Sequence, residues 1–420
     1  MVLKKYPKTS DIRIGSEDMG KTVAEKILSE HSNKDLKAGD IALCNVDFLM
    51  ASDTTAPIAI KSFYNMGGQK VKNPDKTAFV LDHASPCPNQ KIAALHTMMR
   101  EFASEQNIIL YDVGEGICHQ LIIENGHIKA GELVLGADSH TCTYGAIGAL
   151  ACGVGATDLA AAMFTGKSWF KVPETIRINL HGKFPSGVYA KDLILYLIGK
   201  LGSNGATYKS VEFYGEPLEK MTLSSKLTIT NMVVEMGAKN GVICDSTTGM
   251  KSDPDARFER IIDVNLSKLE AYVAAPHRVD NIKKAKDLSH VKINQGFLGS
   301  CTNGRIEDLR IAAQILKGKR IPHDVRLLIT PASKKVFLQA VKEGLVETLI
   351  EAGGVFITPG CGACVGTHNG IPGDNENVIS STNRNFKGRM GNNKAFIYLA
   401  SPATVAASVL KGRITDPKEL

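Results

Sequence analysis

The sequence predicts an α/β protein built from parallel sheets with crossover helices. Short β-branched runs alternate with alanine-rich helical runs as far as about residue 173, which is the usual order of elements in a parallel sheet. Strand-like runs in this part and in the last third lead into loops that carry Gly, Ser, Thr or Cys. The 420 residues are 43% hydrophobic, 22% charged and 6% aromatic, as is usual for a soluble α/β enzyme. Because open α/β sheets bind ligands at the carboxyl ends of their strands, we expect the functional site in these loops.

The first predicted element is a helix in KTVAEKILSEH, where apolar residues recur at helical spacing and Thr22 is a suitable N-cap. Three strands are then predicted, in KTAFVLDHAS, NIILYDVG and ELVLGADSH. Pro173 and Pro185 flank TIRINLHG, which alternates like a strand, and they indicate a boundary. The last third opens with VKINQGFLGSCTNGR and continues through DVRLLITPAS and GGVFITPGCGAC, each a strand that leads into a loop.

These breaks divide the chain into three predicted α/β domains. The first covers residues 1–173, the second 174–289 and the third 290–420. A chain of 420 residues is long enough for such a division and for a large buried core.

The composition disfavours several classes of protein. No apolar run approaches the length of a membrane span. The N-terminal stretch MVLKKYPKTSDIRIGSEDMG lacks an apolar segment, so neither a signal peptide nor a transit peptide is expected. Nine cysteines without the spacing of a disulfide framework predict reduced thiols and a cytoplasmic location. The net charge of +7 is dispersed along the chain, which disfavours nucleic acid and suits small anionic substrates.

Three cysteines form a candidate metal site in the third domain. Cys361 and Cys364 lie in PGCGACVG, and Cys301 lies in GSCTNGR sixty residues upstream. Three thiolates are one short of the usual four, and a metal centre with an open position can bind substrate as a Lewis acid. The spacing alone leaves three alternatives open: an iron–sulfur cluster, a zinc site completed by His368, and a purely structural role.

A second group consists of histidines with acidic neighbours, which orient the imidazole and raise its basicity. The first pairs are Asp82–His83 in LDHASP and His119 after Glu115 in GEGICHQ. The further candidates are Asp138, Ser139 and His140 in GADSHT, with Asn231 and Glu235 in TITNMVVEMGA. Taken singly, each histidine is more often structural, but their shared context in glycine-rich loops after strands indicates an acid–base site.

Two arginines form the third candidate group. Arg384 and Arg389 lie five positions apart in SSTNRNFKGRMG. Guanidinium groups in a Gly/Asn loop suit bidentate carboxylate binding, and a solvated loop is the alternative.

Together these stretches resemble the aconitase superfamily. The resemblance rests on GADSHTCTYGAIGALACGVGATDLA, on GSCTNGR followed by CGAC, and on STNRNFKGRMG, and it extends from about Gly20 to the C-terminus. It implies three α/β domains around a central cluster cleft and a hydro-lyase activity. It also implies that Cys301, Cys361 and Cys364 hold a 4Fe–4S cluster with one iron that the protein does not ligate.

The resemblance implies a role for each remaining candidate. His83, with Asp82, would protonate the departing hydroxyl. The ordering pairs would be His119 with Asp138 and His140 with Glu235. The substrate-binding residues would be Arg384, Arg389, Ser139 and Asn303. The amides near the cluster would be Asn231 and Asn383.

Two departures from aconitase itself narrow the expectation. Pro57, in SDTTAPIA, occupies the place of a glutamine that contacts substrate, which argues against citrate. The stretch after Arg389 shows no counterpart of the swivelling fourth domain, which bears the catalytic serine. We therefore expect a separate small subunit with the serine base, and a branched 2- or 3-hydroxy dicarboxylate substrate, with no nucleic acid and no membrane as partners. The alternatives from other classes are a cluster-free RNA-binding regulator and a zinc-stabilised binding protein.

Overall fold

The computed structural model describes residues 20–420. The N-terminal stretch that bears on a leader sequence, and the first part of the predicted domain 1–173, lie outside the described residues. Within the described part, none of the helices combines the length and the apolar character needed to cross a bilayer.

The strands are short and distributed along the whole described chain. Their bounds are β1 (Ile41–Asn45), β2 (Phe48–Ser52), β3 (Thr77–Val80), β4 (Ile109–Tyr111), β5 (Leu133–Gly136), β6 (Leu150–Gly153), β7 (Lys167–Lys171), β8 (Thr175–His181), β9 (Ser210–Tyr214), β10 (Asn240–Ile243), β11 (Arg260–Asn265), β12 (Tyr272–Ala274), β13 (Ile282–Lys284), β14 (Gln295–Gly299), β15 (Arg326–Thr330), β16 (Gly354–Phe356), β17 (Asn377–Ser380) and β18 (Phe396–Leu399).

Helices lie between most of these strands, as crossover connections require. Their bounds are α1 (Val23–Ser32), α2 (Ala56–Asn65), α3 (Gln90–Gln106), α4 (Cys118–Glu124), α5 (Ala156–Thr165), α6 (Ala190–Leu201), α7 (Glu216–Lys220), α8 (Leu223–Asn231), α9 (Ser300–Asn303), α10 (Ile306–Leu316), α11 (Lys334–Lys342), α12 (Leu345–Glu351) and α13 (Pro402–Lys411).

The first sheet has the order β4-β3-β2-β5-β6, and all of its strand pairs are parallel. A separate antiparallel ribbon joins β1 to β7. The second sheet, β10-β9-β8-β11, is also parallel. The predicted α/β class with parallel sheets is confirmed.

The third sheet has the order β13-β12-β18-β17-β14-β15-β16. Its five strands from β18 to β16 are parallel, whereas β12 and β13 add an antiparallel edge. These two edge strands precede residue 290. The third sheet therefore includes residues from 272 onward, before the predicted boundary at residue 290. The division into domains 1–173, 174–289 and 290–420 stays a prediction.

The predicted helix at the start of the described chain is confirmed as α1. Thr22 is its N-cap, and its hydroxyl accepts a hydrogen bond from the backbone N–H of Glu25. The Glu25 carboxylate in turn accepts from the Thr22 N–H at 2.8 Å. This reciprocal capping box satisfies donors that a helix N-terminus otherwise leaves without partners.

One buried apolar cluster joins the three sheets. It includes Met50 of the first sheet, Ile178 of the second and Val378 of the third, and it also contains Cys301 and Cys361. The candidate thiols therefore lie in the common core. Packing of the sheets around this core brings the loops after their strands together.

Candidate active site

The acid–base candidates follow strands of the first sheet at its carboxyl edge. Asp82 lies two residues after β3, and Asp138 lies two residues after β5. His119 is on α4, and Glu235 lies in the 3₁₀ segment Val233–Met236. Although they are spread over more than 150 positions, the fold brings them into one network.

His83 is held by a carboxylate on each side. Its Nδ1 lies 2.7 Å from Asp82 Oδ1, and its Nε2 lies 3.4 Å from Asp138 Oδ2. The other oxygen of Asp82 accepts from the backbone N–H of Cys118 at 2.8 Å. Burial alone would lower the pKa of His83, but the charges of Asp82 and Asp138 outweigh it and hold that pKa well above its usual value. The two carboxylates therefore favour the protonated form of His83.

Asp138 is shared by three histidines. Its Oδ1 lies 2.9 Å from His119 Nε2 and accepts from the backbone N–H of His140 at 2.8 Å, while its Oδ2 faces His83. Burial would raise the pKa of Asp138, yet His119, His140 and His83 together hold it well below its usual value. The carboxylate thus stays ionised and fixes the orientation of the histidines around it.

His140 extends the network to one of the arginines. Its Nε2 lies 2.8 Å from Glu235 Oε1, and Arg384 donates from Nε to the same oxygen at 2.7 Å. Burial would raise the pKa of Glu235, but His140 and Arg384 together lower it. The structure therefore joins His140 and Arg384 through Glu235.

The backbone around the cysteines adopts conformations that suit particular residues. Ser300, directly before Cys301, has a φ of 66°, in the left-handed region that is unfavourable for a residue with a Cβ. Gly360 has a φ of 152°, and a Cβ there would lie 2.8 Å from the carbonyl oxygen of Asp82. Cys361 donates its N–H to this same oxygen at 2.8 Å. The cysteine loop is thus tied to the backbone of the residue that orients His83.

Two of the three candidate thiols accept hydrogen bonds from polar side chains. Asn231 and Asn383 direct their amide nitrogens at Cys301 Sγ, at 3.3 and 3.5 Å. Arg389 directs Nη2 at Cys364 Sγ at 3.3 Å. Burial raises the pKa of the Cys301 thiol although the Asn231 amide opposes this, whereas Cys361 and Arg389 lower the pKa of Cys364 and favour its thiolate, the form that binds metal.

The spacing of the sulfurs distinguishes the alternatives for a metal. Three sulfurs on one tetrahedral zinc ion would lie about 3.8 Å apart. Among residues 20–420, only Asp53, Asp82 and His83 bring three potential ligand atoms within 4.8 Å of one another, so neither the three cysteines nor the set with His368 does so. A cluster with several irons needs wider spacing because each thiolate binds a different iron. In residues 20–420 the three sulfurs are thus not gathered as closely as a single zinc ion requires.

The group Asp53, Asp82 and His83 is better described as a hydrogen-bonded cluster than as a metal site. Asp53 accepts from the backbone N–H groups of His83 and Ala84, both at 2.8 Å, and lies 3.1 Å from His96 Nε2. Protein donors thus already occupy both oxygens of Asp53, as they do both oxygens of Asp82.

His368 lies near His83, the candidate acid. Its Nδ1 is 3.1 Å from the hydroxyl oxygen of Thr367, which itself donates to the carbonyl of His83. Burial lowers the pKa of His368, and Asp53 opposes this. The contacts therefore give no support to His368 as a partner of the cysteines.

The remaining predicted residues differ in their exposure. Ser139 is exposed and lines a cleft of 580 Å³ that it shares with Gly153 and Asp158, and neither Asp138 nor His140 lines this cleft. Asn303 is buried, and its amide donates to Thr228 Oγ1 at 3.2 Å and to Asp308 Oδ1 at 3.0 Å. Pro57 lies in the first turn of α2. The substrate-binding assignments of Ser139, Asn303 and the two arginines stay predictions.

Three buried charged residues near the site were not among the candidates. Asp53 supports the loop of His83, as described above, and its position directly after β2 was a signal that could have found it. Arg305 donates to the carbonyl oxygens of Cys301 and Thr302 at 2.5 and 2.8 Å. Lys191 reaches the loop before Asn383 from the second sheet's domain. Arg305 ends the GSCTNGR motif, which was a signal that could have found it, whereas nothing in the local sequence marks Lys191.

Comparison with known proteins gives a consistent result. Residues 25–249 and 278–412 match the profile of the aconitase family (aconitate hydratase). The chain is 48% identical to 3-isopropylmalate dehydratase large subunit 2 of Archaeoglobus fulgidus, over 96% of this chain and all of that protein. It is also 48% identical to large subunit 1 of the same enzyme from Thermotoga maritima, over 95% of this chain and 99% of that protein.

A solved structure shows the same fold. Thermococcus kodakaraensis aconitase X in its holo-form superposes with a TM-score of 0.52, covering 83% of this chain and 88% of that one. The sequence identity is 13%, so this likeness bears on the fold alone.

Proposed function

The chain belongs to the aconitase family, and we propose that it is the large subunit of a 3-isopropylmalate dehydratase. This hydro-lyase would interconvert 2-isopropylmalate and 3-isopropylmalate by removing and re-adding water, a step of leucine biosynthesis. Full-length relatives with this name, nearly half identical in sequence, support the assignment.

The family implies a 4Fe–4S cluster, and we propose Cys301, Cys361 and Cys364 as its ligands. One iron would have no protein ligand and would supply Lewis-acid activation of the substrate hydroxyl and carboxylate when the cluster is bound. The amides of Asn231 and Asn383, directed at Cys301 Sγ, would stabilise the thiolate.

His83 would be the general acid. Asp82 holds Nδ1, so the transferable proton is on Nε2, and the contact of 3.4 Å from Nε2 to Asp138 is long enough to be exchanged for one to substrate. His119 and His140 would order the site through Asp138 and Glu235.

Substrate carboxylates would be bound by Arg384 and Arg389, with Ser139 and Asn303 as further contacts. Arg384 already has its charge matched by Glu235, and it would offer its remaining N–H groups to substrate. Arg389 lies over the ring of Phe386 and beside Cys364, which would place a bound carboxylate close to the cluster.

A small subunit with the swivelling domain would supply the serine that takes the carbon-bound proton. The names of the relatives, each a large subunit, support such a partner. We also propose a cytoplasmic location, because all nine cysteines are free thiols and the cluster chemistry needs a reducing compartment.

The observation that carries the proposal is the bond from the Cys361 N–H to the Asp82 carbonyl, which joins the metal loop to the acid dyad. The test is anaerobic turnover by the complex of both subunits, with the alkene intermediate followed in the ultraviolet. We expect turnover of 3-isopropylmalate. Turnover of homocitrate, 2,3-dimethylmalate or citraconate in its place would reassign the substrate to the related homoaconitase or hydratase classes, and RNA binding without turnover would contradict the proposal.

A further inference from the structure

Lys191 is a buried cation with an unusual set of partners. It is the second residue of α6, and its side chain is completely inaccessible to solvent. Its ammonium group donates to the carbonyl oxygens of Ser381 and Thr382 at 2.7 and 2.5 Å. The contact therefore joins the domain of the second sheet to a loop of the third.

No carboxylate among residues 20–420 forms an ion pair with Lys191. The acidic neighbour Asp192 accepts instead from the backbone N–H groups of Tyr189 and Tyr272, both at 2.9 Å. Lys226 is the contrasting case, because this buried lysine forms an ion pair with Asp245. An ammonium group buried without a counter-charge is costly, so Lys191 loses its proton more readily than an exposed lysine unless another group supplies negative charge.

Most of the negative groups that act on Lys191 are the candidate cysteines or a residue near one of them in the sequence. Burial lowers the pKa of Lys191 to about 7, and the opposing charges are those of Asp308, Cys301 and Cys364, with a smaller one from Asp192. Two of these groups are the proposed cluster ligands. A bound cluster keeps them as thiolates, which strengthens the field that stabilises the ammonium group.

The loop that Lys191 binds leads directly into the site. Asn383 follows Thr382 and directs its amide at Cys301 Sγ, and Arg384 follows with its bond to Glu235. The Ser381 hydroxyl accepts from the backbone N–H of Gly299, two residues before Cys301. Movement of Ser381 and Thr382 would therefore shift partners of both the cluster and the substrate.

We propose that Lys191 is a positioning residue for the cluster: it holds the loop of Asn383 and Arg384 in place and supplies the positive charge that balances the thiolates. The inference rests on the proposed function only in that a cluster binds at these cysteines. It assigns to Lys191 a role in cluster retention and in the reduction potential, in addition to support of the fold.

The test compares the full chain with its Lys191→Met variant after anaerobic loading with iron and sulfide. We expect the reduction potential of the cluster to become more negative, because a positive charge that stabilises the added electron is removed. Loss of iron to a chelator should become about tenfold faster, as for one charge-assisted hydrogen bond. Both measurements are independent of substrate and of the small subunit.

Two further variants separate this role from a merely structural one. Lys191→Arg retains the charge, so it should restore the potential. Lys226→Met combined with Asp245→Asn removes a buried pair whose charges are matched within the protein, and it should leave the potential unchanged.

An unchanged potential and rate of iron loss in Lys191→Met would overturn the inference. If that variant does not fold, Lys191→Gln, which can still donate to a carbonyl, takes its place. If Lys191→Gln also fails to fold, the inference is overturned, because Lys191 is then needed for folding alone. Zinc in place of iron and sulfide in the wild-type chain would contradict the proposed cluster itself, which is a separate result.

Discussion

His83 is held in one orientation by Asp82, and despite burial the charges of Asp82 and Asp138 raise its pKa. We expect His83→Ala to lower turnover of the two-subunit enzyme by roughly 10²–10⁴-fold, the usual loss when a general acid is removed. The iron and sulfide contents should not change, because no cysteine partner is lost. Steady-state kinetics beside an iron and sulfide assay checks both points. His181→Ala is the control, since that side chain is exposed and its ion-pair partner among residues 20–420 is Asp263. Near-wild-type turnover in His83→Ala would move the acid to another residue.

The three cysteines of the metal loops should differ from the other buried thiols. Replacing Cys301, Cys361 or Cys364 by Ser should abolish the cluster, because each change removes one of the three ligands that we propose. Cys244→Ser is the matched control, since Cys244 is buried but its thiol faces the backbone carbonyl of Val242. Iron and sulfide per chain in anaerobic protein are the measurement. Stoichiometric zinc without sulfide in the wild type would argue for a mononuclear site.

At the scale of elements, the loop that carries Cys361 and Cys364 packs against the loop of Arg389. Gly366 has a φ of 63°, and a Cβ at this position would lie 2.2 Å from the backbone nitrogen of Gly391. The two loops can approach this closely only because neither residue has a side chain.

We therefore expect Gly366→Ala to separate the two loops, reducing cluster occupancy and weakening substrate binding. Its cost in the free energy of unfolding should exceed the ~1–2 kcal/mol of backbone strain alone. Gly126→Ala measures that strain, because Gly126 has a φ of 68° with nothing within 4 Å of a Cβ. Denaturant unfolding of both variants, with iron content and KM, is the measurement. Equal effects of the two substitutions would show that the loop contact is unimportant.

A second prediction at this scale concerns the docking of α1. His31 in its last turn lies 2.6 Å from Asp47, which also accepts from the backbone N–H of Leu133 at the start of β5. Burial would lower the pKa of His31, but Asp47 outweighs it and the pKa is raised. The pair should therefore stabilise the fold fully below the unfolded pKa of His31, near 6.5, and lose this contribution as the pH rises through the raised folded value.

The measurement is urea unfolding of the apo chain and of His31→Gln at pH 6 and pH 9. We expect the wild-type advantage to be larger at pH 6, by about 1 kcal/mol for this partly exposed pair. Asp47 stays ionised over the whole range because its own pKa is lowered, despite burial, chiefly by His31. An advantage that does not depend on pH would mean that His31 contributes through packing alone.

At the scale of the whole molecule, the described chain contains the proposed acid and cluster ligands but no suitable serine base in its last segment. After Arg389 the only serines are Ser401 and Ser408, and both are completely buried. Ser401 caps α13, and Ser408 donates to the carbonyl of Thr404 at 2.6 Å. Neither hydroxyl can reach a substrate.

We therefore expect the isolated chain, loaded with its cluster, to show no turnover of 3-isopropylmalate. Activity should appear on addition of the small subunit and should rise in proportion to the complex formed. An ultraviolet assay of the alkene, combined with size-exclusion chromatography, measures both quantities. Full turnover by the chain alone would place the base within it and contradict the two-subunit proposal.

Much of the fold and the chemistry could be predicted from the sequence because the signals are local. Thr22 marks the start of α1 through its capping box, and strand runs such as DVRLLITPAS lead into polar loops in the structure as expected. The cysteines and histidines of the site each stand in a short, recognisable motif after a strand or on a helix. Local spacing and the resemblance to one family were enough to name them.

The tertiary structure decided which of these side chains meet and what supports them. Lys191 and Arg305 act on backbone carbonyl oxygens of distant or neighbouring loops, and a carbonyl carries no residue-specific signal in the sequence. The sharing of Asp138 by three histidines, and the separation of His368 from the thiols, depend on how the sheets pack around a common core. Motif spacing determines which chemical groups are available to the site. Packing between segments far apart in the sequence determines the geometry of the site, because such contacts leave no periodic pattern in a single chain.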